Sequence, residues 1–307
     1  MIMQIVRRVS HFPSVRRGAE RIAGARGRGL VLVYHEIAQV PREDPATPTI
    51  SVAEFEQQVG WLSHVGDIVP LPNVLDGGRD SRPRFAITFD DDYESHAKYA
   101  LPVLERHGVP ATFFLSGRWL HGLGRYWWEK LDTAIALSGL ESVAQTLGVD
   151  AATPTQLAAR LEVSQDLQGM LDQVPLPDLP PLSDRWFQML LGADMGIGFH
   201  TVDHPRLTAV GDHELDEALQ SGRADLAEAA GRHLSLFAYP HGRAGAREAD
   251  AVDRAGFEAA FTTSKDPVGA GTDRYLVGRW EPDTASLEDF AAETAWRLNA
   301  PIRPGRN

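Results

Sequence analysis

The stretch Phe85-Ala-Ile-Thr-Phe89 constrains this chain most. It is a short apolar, β-favouring run, bounded by Ser81-Arg-Pro-Arg84 before and by Asp90, Asp91 and Asp92 after. Such a run predicts a buried strand. Three carboxylates then crowd its C-terminal end, where water is partly excluded. Ionised acids this close repel one another, so solvent, an arginine or a bound cation must compensate. Taken alone, the triplet also fits a solvated acidic turn.

A second landmark narrows the choice. In Gly196-Ile-Gly-Phe-His-Thr-Val-Asp-His-Pro205, His200 and His204 follow another apolar run. Their i, i+4 spacing suits one helix face. Gly196, Gly198 and Pro205 argue instead for a strand that runs into a loop. One strand end with carboxylates and another with two imidazoles suit a divalent metal. Two neutral nitrogens and a carboxylate, with positions left open, are what a hydrolytic zinc site needs.

Thr88-Phe-Asp-Asp91 and His200-Thr-Val-Asp-His204 resemble the first two motifs of the polysaccharide deacetylases, carbohydrate esterase family 4. Phe237-Ala-Tyr-Pro-His-Gly242 resembles the third, and the order along the chain agrees. The resemblance covers roughly residues 30–118 and 194–280.

The rest of the chain alternates strands and helices. Gly29–Tyr34 reads as a strand that ends at His35-Glu36, and Ser51-Val-Ala-Glu54 as a capping box opening a helix to about His64. Asp67–Leu71 reads as a short strand, Glu94–His107 as a helix stopped by Gly108, and Ala111–Leu115 as a strand. His96 and His107 are expected to be surface or packing residues rather than metal ligands. Residues 118–194 interrupt the rhythm with a helix from Tyr126, another over Leu157–Gln173 and a stiff proline-rich linker at 174–181. Beyond Met195 come helices at Asp212–Ala230 and Ala246–Ala255, strands at Leu234–Tyr239, Glu258–Thr263 and Tyr275–Trp280, and a closing helix over Ser286–Leu298. Such alternation predicts a parallel sheet covered by helices. Periodicity fits an open doubly wound sheet as well as a barrel. The family resemblance implies a distorted (β/α)7 barrel of parallel strands over residues 29–298, with 118–194 a helical insertion that could serve as a lid or specificity element.

Composition sets limits. At 307 residues with 43% hydrophobic content the chain is of ordinary globular type. It has no cysteine, which excludes disulfides and thiol chemistry and fits a cytoplasmic setting. A net charge of -12 disfavours nucleic-acid partners. Residues 1–28 nevertheless carry Arg7, Arg8, Arg16, Arg17, Arg21, Arg26 and Arg28 against Glu20 alone. This basic segment could touch anionic lipid peripherally; a packed terminal helix is the simpler account.

The resemblance also implies a chemistry. Asp91, His200 and His204 would hold the metal, expected to be Zn2+, although nickel, cobalt or iron suit the same ligands. Asp90 would take a proton from water, and the backbone N–H of His241 would stabilise the oxyanion. Two departures from the family pattern stand out. No histidine follows His241, so His35 is assigned as general acid, as in poly-N-acetylglucosamine deacetylases with a circularly shifted barrel order. Ala238 stands where many members carry an arginine that pairs with the catalytic aspartate. Arg279 could replace it, or could form a plain surface ion pair. Asp92, in place of the usual glycine, could bind substrate but is expected to cap the next helix. The function implied is metal-dependent N-deacetylation of an amino sugar in a glycan or glycoconjugate precursor. The rivals are removal of a formyl or O-acetyl group by the same machinery, and a non-catalytic carbohydrate-binding barrel.

Overall fold

The computed structural model describes residues 20, 22, 24–41, 47–76, 82–176, 182–282 and 286–302. Most of the basic segment read at 1–28 lies outside these residues, as does the 177–181 part of the linker.

Seven parallel strands form the main row of the sheet: β1 (Gly29–Tyr34), β2 (Arg84–Asp90), β3 (Thr112–Leu115), β4 (Gly196–Phe199), β5 (Leu236–Ala238), β6 (Ala259–Phe261) and β7 (Arg279–Trp280), and a two-residue strand, Asp67–Ile68, pairs with β2 off this row. Their spatial order is β7-β1-β2-β3-β4-β5-β6. A parallel bridge from Phe261 to Val277, just before β7, brings the two ends of the row together. The result is a nearly closed, distorted (β/α)7 barrel. The strand expected over Tyr275–Trp280 is regular only at its end, because closure is made by that single bridge.

Side-chain alternation divides the core in two. On β2, Phe85, Ile87 and Phe89 face the helical shell, whereas Ala86 joins an interior cluster with Val31, Phe114, Ala238, Phe261 and Val277. Leu71 and Val74 of a five-residue helix belong to the same interior cluster. That helix follows the short strand Asp67–Ile68, which forms within the expected Asp67–Leu71 stretch and pairs in parallel with β2. Gly198 on β4 faces Phe114 so closely that a Cβ there would lie 2.4 Å from the ring. Gly198→Ala is therefore expected to destabilise the barrel by roughly 1–3 kcal/mol, read as a lowered denaturant midpoint.

Local signals set most helices. In α1 (Val52–Val65) Ser51 Oγ accepts from Glu54 N–H, and the Glu54 carboxylate accepts from Ser51 N–H. The helix expected from Glu94 begins there, passes through a π-turn over His96–Ala100 and continues as α2 (Leu101–His107). Pro102 has no N–H to donate, and the ladder is shifted there to Leu101 N–H bonding His96 C=O. His96 is fully buried among Phe89, Tyr93 and Phe113, so it packs, as expected.

Between β3 and β4, α3 (Trp127–Ser138), α4 (Leu140–Thr146), α5 (Pro154–Leu161) and α6 (Gln165–Leu171) share a cluster of their own around Leu131, Leu157 and Leu171. The helix expected over Leu157–Gln173 is thus two helices. Ser164 breaks the run by capping α6, accepting from Leu167 N–H at 3.3 Å. The next helix, α7 (Asp184–Gly192), packs on the main core through Phe187 and Leu190. The single helix expected over Asp212–Ala230 is also two, α8 (Asp212–Gln220) and α9 (Arg223–Ala230). Gly222 separates them with φ 74, and a Cβ there would meet Val202 at 2.3 Å. The break lets the chain pass close against the loop that holds His200 and His204. Finally α10 (Ala246–Arg254) and α11 (Leu287–Leu298) complete the shell, with Ser286 capping α11.

Candidate active site

The acids and imidazoles meet at the C-terminal ends of β2 and β4. Asp90 continues the inward set of β2, after Ala86 and Thr88. Asp91 would point outward if the strand continued, but its φ of 71 swings it back toward the barrel axis. Among the described residues, Asp91, Thr201, His204 and His241 make up four of the six non-glycine residues with positive φ. Backbone strain therefore gathers where these loops turn their side chains together.

Arg279 resolves the charge of Asp90. The guanidinium is completely buried and donates to both carboxylate oxygens at 2.6 Å, from Nη1 to Oδ1 and from Nη2 to Oδ2. It also donates to Thr88 Oγ1 and to the Thr262 carbonyl. Burial raises the Asp90 pKa, but Arg279 and His200 outweigh it and hold it down at about 2. The pair is no surface contact: it is bidentate and dry, and it spans 189 residues of sequence.

Asp91 is left in the opposite state. Its Oδ1 is buried without a hydrogen-bond partner, 3.6 Å from His200 Nε2 and 3.9 Å from His204 Nε2. Burial first, and the fields of Asp90 and Asp92 after it, push its pKa up to about 7. The three residues offer donor atoms that all lie within 4.8 Å of one another. His200 Nδ1 donates to the Ala238 carbonyl at 2.8 Å, which leaves the Nε2 lone pair facing Asp91. Burial keeps His200 near 4 and His204 well below its usual value, so both imidazoles are neutral at pH 7. An orphaned buried carboxylate oxygen beside two neutral nitrogens fits a divalent cation.

The surroundings shape this pocket. The His204 ring packs against Trp128 at 4.8 Å and His241 at 4.5 Å. His241 sits on the turn after β5, with its Nδ1 3.3 Å from the Glu162 carboxylate of the inserted helices. His35, at the end of β1, donates from Nδ1 to Glu281 at 2.6 Å. Burial lowers the His35 pKa, but Glu281, with Asp90 and Asp91 behind it, raises it to about 9. Asp92 does not cap the following helix. It accepts from Ser116 N–H, Ser116 Oγ–H and Arg118 N–H, and so ties the end of β2 to the loop after β3.

The profile of the polysaccharide deacetylase family matches residues 77–260. The chain belongs to the polysaccharide deacetylase family. The chain is 28% identical over 150 residues to YxkH of Bacillus subtilis (strain 168), assigned to the polysaccharide deacetylases. That alignment spans 45% of this chain and 50% of YxkH. In fold it is similar to the Streptococcus pyogenes deacetylase PplD in complex with acetate, at a TM-score of 0.59 and 15% identity, covering 89% of this chain and 99% of that one. IcaB from Ammonifex degensii gives 0.57 and 22% over 89% and 97%. A de-N-acetylase from Aggregatibacter actinomycetemcomitans gives 0.57 and 18% over 84% and 96%. At these identities the likeness is one of fold. No helix among the described residues is long and apolar enough to cross a membrane.

Glu281 and Glu162 are site neighbours that sequence reasoning did not assign. Glu281 carried a usable signal. It is an acid directly after the apolar end of β7, just as Asp90 directly follows Phe89 on β2. Glu162 carried none, since its position depends on how the inserted helices fold back.

Proposed function

We propose that this deacetylase hydrolyses the N-acetyl group of an amino sugar in a glycan or glycoconjugate, with one divalent cation held by Asp91, His200 and His204. The observation that carries the reading is the cluster of three donor atoms around the orphaned Asp91 oxygen, next to an Asp90 held ionised by Arg279. One structural relative is a de-N-acetylase and another is in complex with acetate, which supports the choice of acyl group. Zinc suits two imidazoles and a carboxylate. When bound, such an ion supplies Lewis acidity, which sharpens a water and polarises a carbonyl.

The protein groups then divide the work. Asp90 accepts the proton of the attacking water, and Arg279 holds its carboxylate ionised and oriented for that step. Oxygen adds to the acetyl carbon, and the backbone N–H of His241 donates to the oxyanion that forms. The C–N bond breaks as His35 gives its proton to the leaving nitrogen, yielding acetate and an amine. Glu281 keeps that imidazole protonated and fixes which nitrogen faces the site. With no cysteine in the chain a cytoplasmic setting is consistent, and there a precursor glycoconjugate fits better than a finished wall polymer.

Acetate release from a panel of N-acetylated oligosaccharides tests the reading; formate from N-formyl analogues only, or no release from any, would contradict it. The pH profile tests the acid. His35 with a pKa of about 9 donates below that pH and fails above it. Activity is therefore expected to fall as pH rises through about 9. Glu281→Gln removes the carboxylate that raises this pKa, so the alkaline limb should move down by roughly 1–3 units. An unmoved limb would take His35 out of the acid role.

A further inference from the structure

The loop that carries both imidazoles holds an unusual backbone. Thr201 and His204 have positive φ, 62 and 51. Residues other than glycine keep such conformations only where their surroundings fix them. A metal-binding histidine is commonly oriented by a hydrogen bond on the nitrogen that faces away from the ion. His200 has one, from Nδ1 to the Ala238 carbonyl. His204 has none, because its Nδ1 is buried with no partner among the described residues. The direction of the His204 ring must therefore come from its backbone and from the rings packed against it.

That backbone is held at Val202, two residues from each imidazole. The Val202 carbonyl accepts from Arg118 Nη1 at 3.0 Å and from the Tyr126 hydroxyl at 3.1 Å. Arg118 is itself fixed in place. Its Nε donates to the Gly124 carbonyl at 3.0 Å, its guanidinium lies 4.4 Å from the centre of the Tyr126 ring, and its backbone N–H donates to Asp92. Asp92 is buried and directly follows Asp91; it also accepts from the Ser116 N–H at 2.8 Å and from Ser116 Oγ–H. The approach of Arg118 to Asp203, at 3.5 Å, faces solvent and adds little. A continuous path of contacts thus runs from the residue after Asp91, through Arg118, to a carbonyl midway between His200 and His204.

We infer, on the metal-site reading above, that Arg118 is a positioning residue for the cation. It acts through Val202. With Tyr126 it fixes the backbone that aims His204 at Asp91, and through Asp92 it holds the two ligand-bearing loops at one separation. A triad braced in this way has less freedom to lose when an ion enters, so the brace tightens binding.

Zinc affinity of the metal-free protein, measured by competition with a chelating dye, tests this. Arg118→Met should weaken zinc binding by roughly 10–100-fold. Arg118→Lys keeps the charge but not the planar fork that serves two carbonyls, so it should fall between the wild type and Arg118→Met. Tyr126→Phe removes only the second bond to Val202 and should weaken zinc binding in the same direction by a smaller factor. Denaturant unfolding of the same metal-free proteins separates positioning from plain support. An arginine that only supported the fold would lower the unfolding midpoint and leave the zinc affinity of the folded variant unchanged. Wild-type affinity in folded Arg118→Met would overturn the inference and leave the triad standing. If Arg118→Met does not fold, Tyr126→Phe decides alone, and an unchanged affinity there overturns the inference too. A wild-type protein that binds no zinc would overturn the triad itself, and this inference with it.

Discussion

Arg279→Met is expected to lower stability by about 3–5 kcal/mol and to abolish acetate release. The substitution leaves the Asp90 carboxylate buried with no counter-charge, because both of its oxygens now rest on that guanidinium. The pH dependence of stability gives the sign. In the wild type the Asp90 pKa is depressed to about 2 from its ordinary value of 3.8. Its contribution is therefore fully present above pH 3.8 and is lost as pH falls through about 2. In Arg279→Met burial acts unopposed by that partner, the Asp90 pKa rises, and the variant should become less stable as pH increases. The double variant Asp90→Asn/Arg279→Met should recover much of the lost stability without recovering activity. Denaturant unfolding of the wild type, both single variants and the double variant measures the coupling directly. Additive losses would mean that the two side chains do not depend on each other.

His204→Ala is expected to separate fold from chemistry. Its imidazole is neutral, and its buried Nδ1 has no hydrogen-bond partner, so truncation breaks no polar network. The loss of packing against Trp128 and His241 should cost about 1–2 kcal/mol, well below the Arg279 effect. Cation affinity and turnover should instead collapse, the rate by on the order of 1,000-fold, or roughly 4 kcal/mol of barrier. Metal analysis of the dialysed variant, beside its rate, checks both. A variant that keeps its cation and its rate would remove His204 from the ligand set.

The legible parts of this protein were those written in local chemistry. The Ser51/Glu54 box, the left-handed stop at Gly108 and the apolar runs of β1 and β2 each depend on near neighbours in sequence, and each formed where expected. The breaks in the helices were harder to read. Gly222 interrupts a good helical pattern because of Val202, a contact with no trace in the pattern itself. The same division holds in the site. The Asp90-Asp91 and His200…His204 motifs were visible, since charge at an apolar strand end is conspicuous. That Arg279 reaches Asp90 is a product of barrel closure, which places β7 next to β1 and opposite the loop ends. The role expected for Asp92 failed for a related reason: β3 runs beside β2, so the Ser116 loop offers nearer donors than the following helix does.

The most direct measurement is acetate released from an N-acetylated oligosaccharide by protein stripped of metal and then titrated with zinc. Release should be absent at the start, rise in proportion to added zinc and level off at one equivalent per chain. It should stay absent throughout in His204→Ala. Full release by the stripped protein, or a titration that the variant follows as well as the wild type, would contradict the proposal that one cation between Asp91, His200 and His204 performs the reaction.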